Sequence, residues 1–161
     1  MRPIARLETE LRASGLIYAV LGAVGLVGSL ARDTDAARAV VAFVVAAVIL
    51  GAVSWLSTRW LRAADAAPAA PDAAPVEPSG LTVRRVLVGL SLPLVAVVAS
   101  IALSAGLAAV LGGVVAGIGA IDLLTLSAVR RRQGRTGGVL YRELGGSPFA
   151  GGRRPLYTRP I

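Results

Sequence analysis

Four blocks of apolar residues, 15–31, 39–58, 86–104 and 107–129, dominate this chain, and the polar segments between and beyond them hold almost all of its charge. A membrane-crossing helix needs ~20 predominantly apolar residues at ~1.5 Å of rise each. The second and fourth blocks meet that length comfortably, the third just reaches it and the first is a little short. Asp122 is the one charged residue inside any block. The pattern predicts an all-α integral membrane protein with four transmembrane helices.

Arginine positions orient those helices. Arg2, Arg6 and Arg12 precede the first block, and Arg59 and Arg62 follow the second. Arg84 and Arg85 precede the third, and Arg130, Arg131, Arg132 and Arg135 follow the fourth. Only Arg32 and Arg38 fall on the opposite side, where Asp33 and Asp35 offset them. Short loops rich in Lys or Arg stay in the cytoplasm. The chain is therefore expected to form two in–out–in hairpins, with both termini and the central linker cytoplasmic. Trp55, Trp60 and Tyr18 lie near the cytoplasmic ends of their blocks, at headgroup level.

The leader and the linker complete the layout. Ser29-Leu30-Ala31 resembles a signal-peptide cleavage site, but Glu8 and Glu10 in the leader and the length of the apolar run favour an uncleaved first helix. Pro3 followed by Ile4, Leu7 and Leu11 at helical spacing, with Arg6, Glu10 and Arg12 largely opposite, predicts a short interfacial helix, or equally a frayed extension of the first span. Residues 63–80 hold eight alanines with Pro68, Pro71, Pro75 and Pro78. Such a segment is expected to be extended and unpacked, reaching roughly 50 Å at ~3.1 Å per residue, where packed neighbouring helices stand ~8–10 Å apart. The excess length reads as slack. The expected divisions are 1–62 for the N-terminal helix and first hairpin, 63–83 for the linker, 84–132 for the second hairpin and 133–161 for a flexible basic tail.

Composition narrows the chemistry. Hydrophobic residues make up 55% of the 161-residue chain, and its mean hydropathy is +0.72, too apolar for a water-exposed globular domain. It contains no Cys, His, Lys or Asn. Disulfides, thiolate and imidazole metal ligands, Ser-His-Asp chemistry and a P-loop lysine are thereby excluded. No catalytic residue, metal or cofactor is expected. The net charge of +8 is carried by arginine alone, and that bias with the high alanine content points to a bacterial genome of high GC content and a bacterial cytoplasmic membrane.

Small residues are the most regular feature inside the blocks. Ala109, Gly113 and Gly117 recur every four residues in the fourth, beside a second row of Gly112, Ala116 and Ala120. The first block carries Gly15, Gly22, Gly25 and Gly28, and the third Ala96, Ser100 and Ser104. Such stripes let helix backbones approach closely in lipid. At least one is expected to serve internal packing, the others assembly with a membrane-protein partner or a second copy.

Asp122 precedes Arg130 by eight residues, ~12 Å along a helix. Counting the same depth along the other blocks brings Tyr18, Ser54 and Ser91 to its level, with Thr125 one turn away. Pro93 lacks an N–H, so the Gly89 carbonyl loses its helical donor. This layer could be a proton or cation site opened by a kink, or Asp122 could be structural: a protonated acid, an interhelical hydrogen-bond donor, or a partner for an inward-reaching Arg85. With no second acid or base at that depth, the structural role is favoured. Arg130, Arg131, Arg132, Arg135, Arg153 and Arg154, with nearby Tyr and Leu, suit contact with anionic headgroups at the cytoplasmic face or with a partner subunit. Nucleic acid is not an expected ligand, because topology already explains the charge. The chain is expected to be a small non-catalytic accessory or scaffold subunit of a larger membrane complex; the alternative is a small transporter or channel that uses Asp122.

Overall fold

The computed structural model describes residues 3–32, 35–57, 64, 67–144 and 155–160. Its elements are β1 (Ile4–Arg6), α1 (Leu7–Leu30), α2 (Ala36–Ser57), α3 (Ser79–Gly89), α4 (Ser91–Leu103), α5 (Ala105–Thr136), β2 (Gly138–Glu143) and β3 (Leu156–Pro160). Three helices, α1, α2 and α5, are long and apolar enough to cross a membrane, and α3 with α4 makes a fourth if the pair is one span, bent by 45°. The bend has a local cause. A proline ring crowds the carbonyl four residues earlier and offers it no N–H, and for Pro93 that residue is Gly89, where α3 ends.

The 32-residue α5, ~48 Å long, is the axis of the bundle. α1 packs against it antiparallel and α2 parallel, each through glycine. A Cβ at Gly25 would stand 2.7 Å from the Gly112 Cα, and one at Gly22 2.6 Å from the Ala116 Cβ. On the other side, a Cβ at Gly113 or Gly117 would collide with the carbonyl oxygens of Phe43 and Ala47 on α2. The two rows on α5 thus face two different helices. Gly28 meets Ile101 of α4 instead. These contacts bring backbones together without needing a hydrophobic drive that lipid cannot supply.

The bundle end at the α1–α2 and α4–α5 connections is closed by capping. Asp35 accepts from the Arg38 N–H at 3.0 Å at the start of α2, and the Ser104 hydroxyl accepts from the Leu107 N–H at the start of α5. Arg32 donates to the carbonyls of Ile101 and Ala102, the latter at 2.8 Å, groups left without helical donors at the end of α4.

The opposite end carries a three-stranded antiparallel sheet in the order β1-β2-β3. Residues 4–6, read from the sequence as the start of an interfacial helix, are a strand instead. Helical spacing of Ile4, Leu7 and Leu11 also fits a strand that turns into α1 at Leu7, and all three residues are buried. The expected flexible tail is likewise corrected over its described residues. Tyr141 stands opposite Tyr157 in the β2–β3 register, so the two Leu-Tyr runs pair with each other. α5 hands over to β2 through Gly137, whose φ of 63° is left-handed and whose N–H caps the Gln133 carbonyl at 2.9 Å.

The described part of the Ala/Pro linker is packed, not slack. It bonds to both outer edges of the sheet. Ala70 N–H donates to the Thr158 carbonyl at 2.8 Å and Thr158 N–H to the Pro68 carbonyl at 2.9 Å, beside β3. Glu77 N–H donates to the Ile4 carbonyl at 2.8 Å, beside β1. Between those edges Ala70 and Ala74 bury against Ile4 and Tyr141. Alanine side chains are small enough to let the linker cross the sheet at close range. Arg159 holds the crossing, donating to the Pro71 and Ala74 carbonyls at 2.8 and 3.0 Å while stacking over the Tyr141 ring at 5.8 Å. The other sheet face seats on the bundle. Leu140 is fully buried among Leu7, Leu11, Leu126 and Val129, each such side chain contributing ~1.5–3 kcal/mol of burial.

Candidate functional site

Bending at Leu90 separates α3 from α5. α4 packs on α5, whereas α3 rests on α1 and β1. The space left between them is a cavity of about 450 Å³ beneath the sheet. Tyr18, Ser54, Asp122 and Thr125 all line it, from α1, α2 and α5. Ser91 does not: it sits on the outer side of the bend, exposed, and donates to the Val88 carbonyl at 2.8 Å.

Asp122 has a specific partner in Ser14, whose hydroxyl donates to Oδ2 at 2.6 Å. Above them the cavity wall is charged. Glu10 Oε1 lies 3.5 Å from Nη1 of Arg85 and 3.5 Å from Nη1 of Arg142. Arg85 also reaches Glu77 Oε2 at 3.3 Å, and the buried Thr82 hydroxyl donates to the same oxygen at 2.6 Å. One network thus joins α1, the end of the linker, α3 and β2. Half-buried charges hold such an arrangement only because each has a counterion or hydrogen-bond donor. Two acceptors in the wall, Glu10 Oε2 and Thr125 Oγ1, are buried with no hydrogen-bond partner among the described residues.

Ser14, Glu10 and Arg142 went unread as site residues. Glu10 and Arg142 belong to a leader and a tail whose pairing only the sheet establishes, while Ser14 lies one turn before Tyr18, the residue of the first block that depth counting brings to the level of Asp122. The sequence makes Arg85 a possible partner of Asp122, whereas in the structure it pairs with Glu10 and Glu77.

The remaining expected residues distribute as follows. Gly22, Gly25, Gly113 and Gly117 lie in the helix interfaces described above, with Gly28 against α4. Ala109 and Ser100 are buried, and Ser104 is a helix cap rather than a packing residue. Of the basic cluster, Arg130 pairs with Glu8 at 2.7 Å and Arg132 bonds the Ala64 carbonyl. Arg131 and Arg135 are exposed. Arg153, Arg154 and Trp60 lie outside the described residues. Outside the membrane-spanning helices, the Tyr157 phenol donates to Glu143 at 3.1 Å, which holds its pKa above the ordinary value.

Chemically, the cavity offers guanidinium donors and carboxylate and hydroxyl acceptors within one small volume. Among the described residues no group of three or more acidic side chains is gathered as a metal ion would require. No family model matches this chain, and neither a curated protein nor a solved structure matches it.

Proposed function

We propose that this protein is a small non-catalytic membrane protein that serves as an accessory or scaffold subunit of a larger membrane complex. The observation that carries this is the convergence of three separate chain segments, 4–6, 67–78 and 138–160 where described, into one sheet module seated on the bundle end. A module held by strand pairing, the Arg159 clamp and the Leu140 core offers a pre-ordered surface. Little ordering entropy then remains to oppose association. Exposed Arg131, Arg135, Arg12 and Arg84 at the same end supply positive charge for an acidic partner or anionic headgroups. The glycine stripes do not add to this support, because helix interfaces within the chain consume them.

The same arginine asymmetry supports a bacterial cytoplasmic membrane with the sheet module on the inner face and four spans in two hairpins. The antiparallel α1–α5 and parallel α2–α5 packing is compatible with that threading.

The test is purification of the full chain in native nanodiscs from its source cell, with mass spectrometry of co-isolated protein. A stoichiometric partner that is lost when Arg131 and Arg135 are changed to Gln supports the subunit reading. A chain that runs alone or only with its own copies contradicts it. The polar cavity at Asp122 favours a second reading, a small transporter or channel, for which Asp122→Asn abolishes ion or proton flux in proteoliposomes while expression survives.

A further inference from the structure

The polar cavity does not end in a plain apolar wall. Tyr18 and Ile118 line it and also line a second crevice of about 270 Å³. That crevice runs away from the sheet between α4 and α5, bordered by Leu92, Ala96, Val97 and Leu111. One is charged and hydroxyl-rich, its neighbour almost wholly apolar, and they share a boundary. The pair is amphipathic along the bundle axis, with its polar end at the sheet.

Three observations define the ligand. The polar part holds two guanidinium groups, Arg85 and Arg142, and two carboxyl groups, Glu10 and Asp122. Formal charges therefore cancel, which suits a zwitterion and disfavours a simple anion, whose charge would face both carboxyl groups. Second, Thr125 is 2% exposed, and its Oγ1, like Glu10 Oε2, is a buried oxygen without a hydrogen-bond partner among the described residues. Leaving a buried acceptor unpaired is costly, and both would be satisfied by a primary ammonium, which carries N–H donors; a trimethylammonium carries none. Third, α2 and α3 form no packed interface among the described residues, so the cavity has a side opening between them at the level of Ser54 and Arg85.

We infer that the paired cavities hold one phosphatidylethanolamine-type lipid. Its phosphate lies toward Arg85 and Arg142, its ammonium toward Asp122, Glu10 and Thr125, and an acyl chain follows the α4–α5 crevice. The polarity of the two cavities matches a lipid of the leaflet on the sheet side. This assignment is independent of any partner subunit.

The experiment is native mass spectrometry of the full chain, stripped of lipid in detergent and titrated with phosphatidylethanolamine, phosphatidylglycerol and phosphatidylcholine of identical acyl chains. Soluble phosphoethanolamine is added as a competitor. The expected result is a one-to-one adduct with the ethanolamine lipid, favoured about tenfold over the other two, which corresponds to ~1.4 kcal/mol. Asp122→Asn and Thr125→Val should erase that preference. Ala96→Phe, which fills the crevice without touching a polar group, should weaken the ethanolamine adduct about tenfold, while Val48→Phe on the exposed side of α2 should leave it unchanged. Should Asp122→Asn fail to fold, the wild-type lipid series and Ala96→Phe still decide. Equal binding of the three lipids would overturn the inference. So would an Ala96→Phe variant that binds normally, or displacement by soluble phosphoethanolamine at the concentration of the lipid, which would leave a free phosphoamine site with no role for the crevice.

Discussion

The two halves of this bundle are held together by opposite means. Away from the sheet, α1, α5 and α2 meet backbone to backbone across Gly22, Gly25, Gly112, Gly113 and Gly117, with no room for a side chain. Toward the sheet, α1 and α5 stay close at Gly15 and Gly119, but α3 stands away from α5 around a cavity, bridged by Ser14–Asp122 and by the Glu10, Arg85 and Arg142 ion pairs. Lipid offers no hydrophobic reason for helices to associate, so close van der Waals contact holds the first half. In the second half, charged and hydroxyl side chains span the gap that the bend at Leu90 leaves between α3 and α5. The α3–α4 bend marks the change from one regime to the other, and the sheet module covers the more open end.

Substitution separates the halves. The largest effect is expected at the closed half: Gly113→Leu drives a side chain into the Phe43 carbonyl and costs at least ~3 kcal/mol, the upper part of the range for overpacking, so that α2 separates from α5. Unfolding in bicelles by added denaturing detergent measures it. At the sheet junction, Leu140→Ala removes a fully buried side chain from the Leu7–Leu126–Val129 cluster and is expected to cost ~2–3 kcal/mol. Faster hydrogen exchange confined to 138–143 and 4–6 would register it. Arg159→Gln removes two charge-assisted bonds to linker carbonyls and should cost ~1.5–2 kcal/mol, loosening 70–77 while the helices exchange as before. Glu8→Gln breaks an exposed pair with Arg130, and its effect should stay below ~1 kcal/mol and fade with salt. Gly134→Ala runs the other way. Nothing stands within 4 Å of a Cβ there, so the helix should gain ~0.5–1 kcal/mol, in contrast to Gly22, Gly25, Gly113 and Gly117 of the closed half.

Much of the closed half was legible in the sequence. The first, second and fourth apolar blocks fall, to within a residue at their ends, inside the three helices long and apolar enough to cross a membrane, and the third runs across the α3–α4 bend. The four-residue spacing of Gly113 and Gly117 is the spacing of the α2 contact. Depth counting from helix ends brings Tyr18 and Ser54 to the level of Asp122, with Thr125 one turn away, and all four line the cavity. It misplaced Ser91 because the count assumed a straight third helix, although Pro93 had already flagged a disturbance there. The sheet end was not legible for a different reason. Its strands are three, six and five residues long, too short to show a period, and β1 pairs with β2 from the opposite end of the chain. The Ala/Pro linker carries no strand signal at all, since its order comes from neighbours such as Arg159 and Thr158 and not from its own propensities.

The subunit proposal depends on the sheet module being one fixed body, and the absence of native cysteine makes that directly measurable. Ala69 and Thr158 are bridge partners across the linker–β3 edge, within reach of a disulfide. In the double variant Ala69→Cys/Thr158→Cys, assayed in membranes under mild oxidation, near-complete intramolecular cross-linking is predicted, with little in an Ala69→Cys/Ser79→Cys control. Equal cross-linking of both pairs, or none in the first, would mean that the linker is loose after all and would contradict the account of a preformed docking surface.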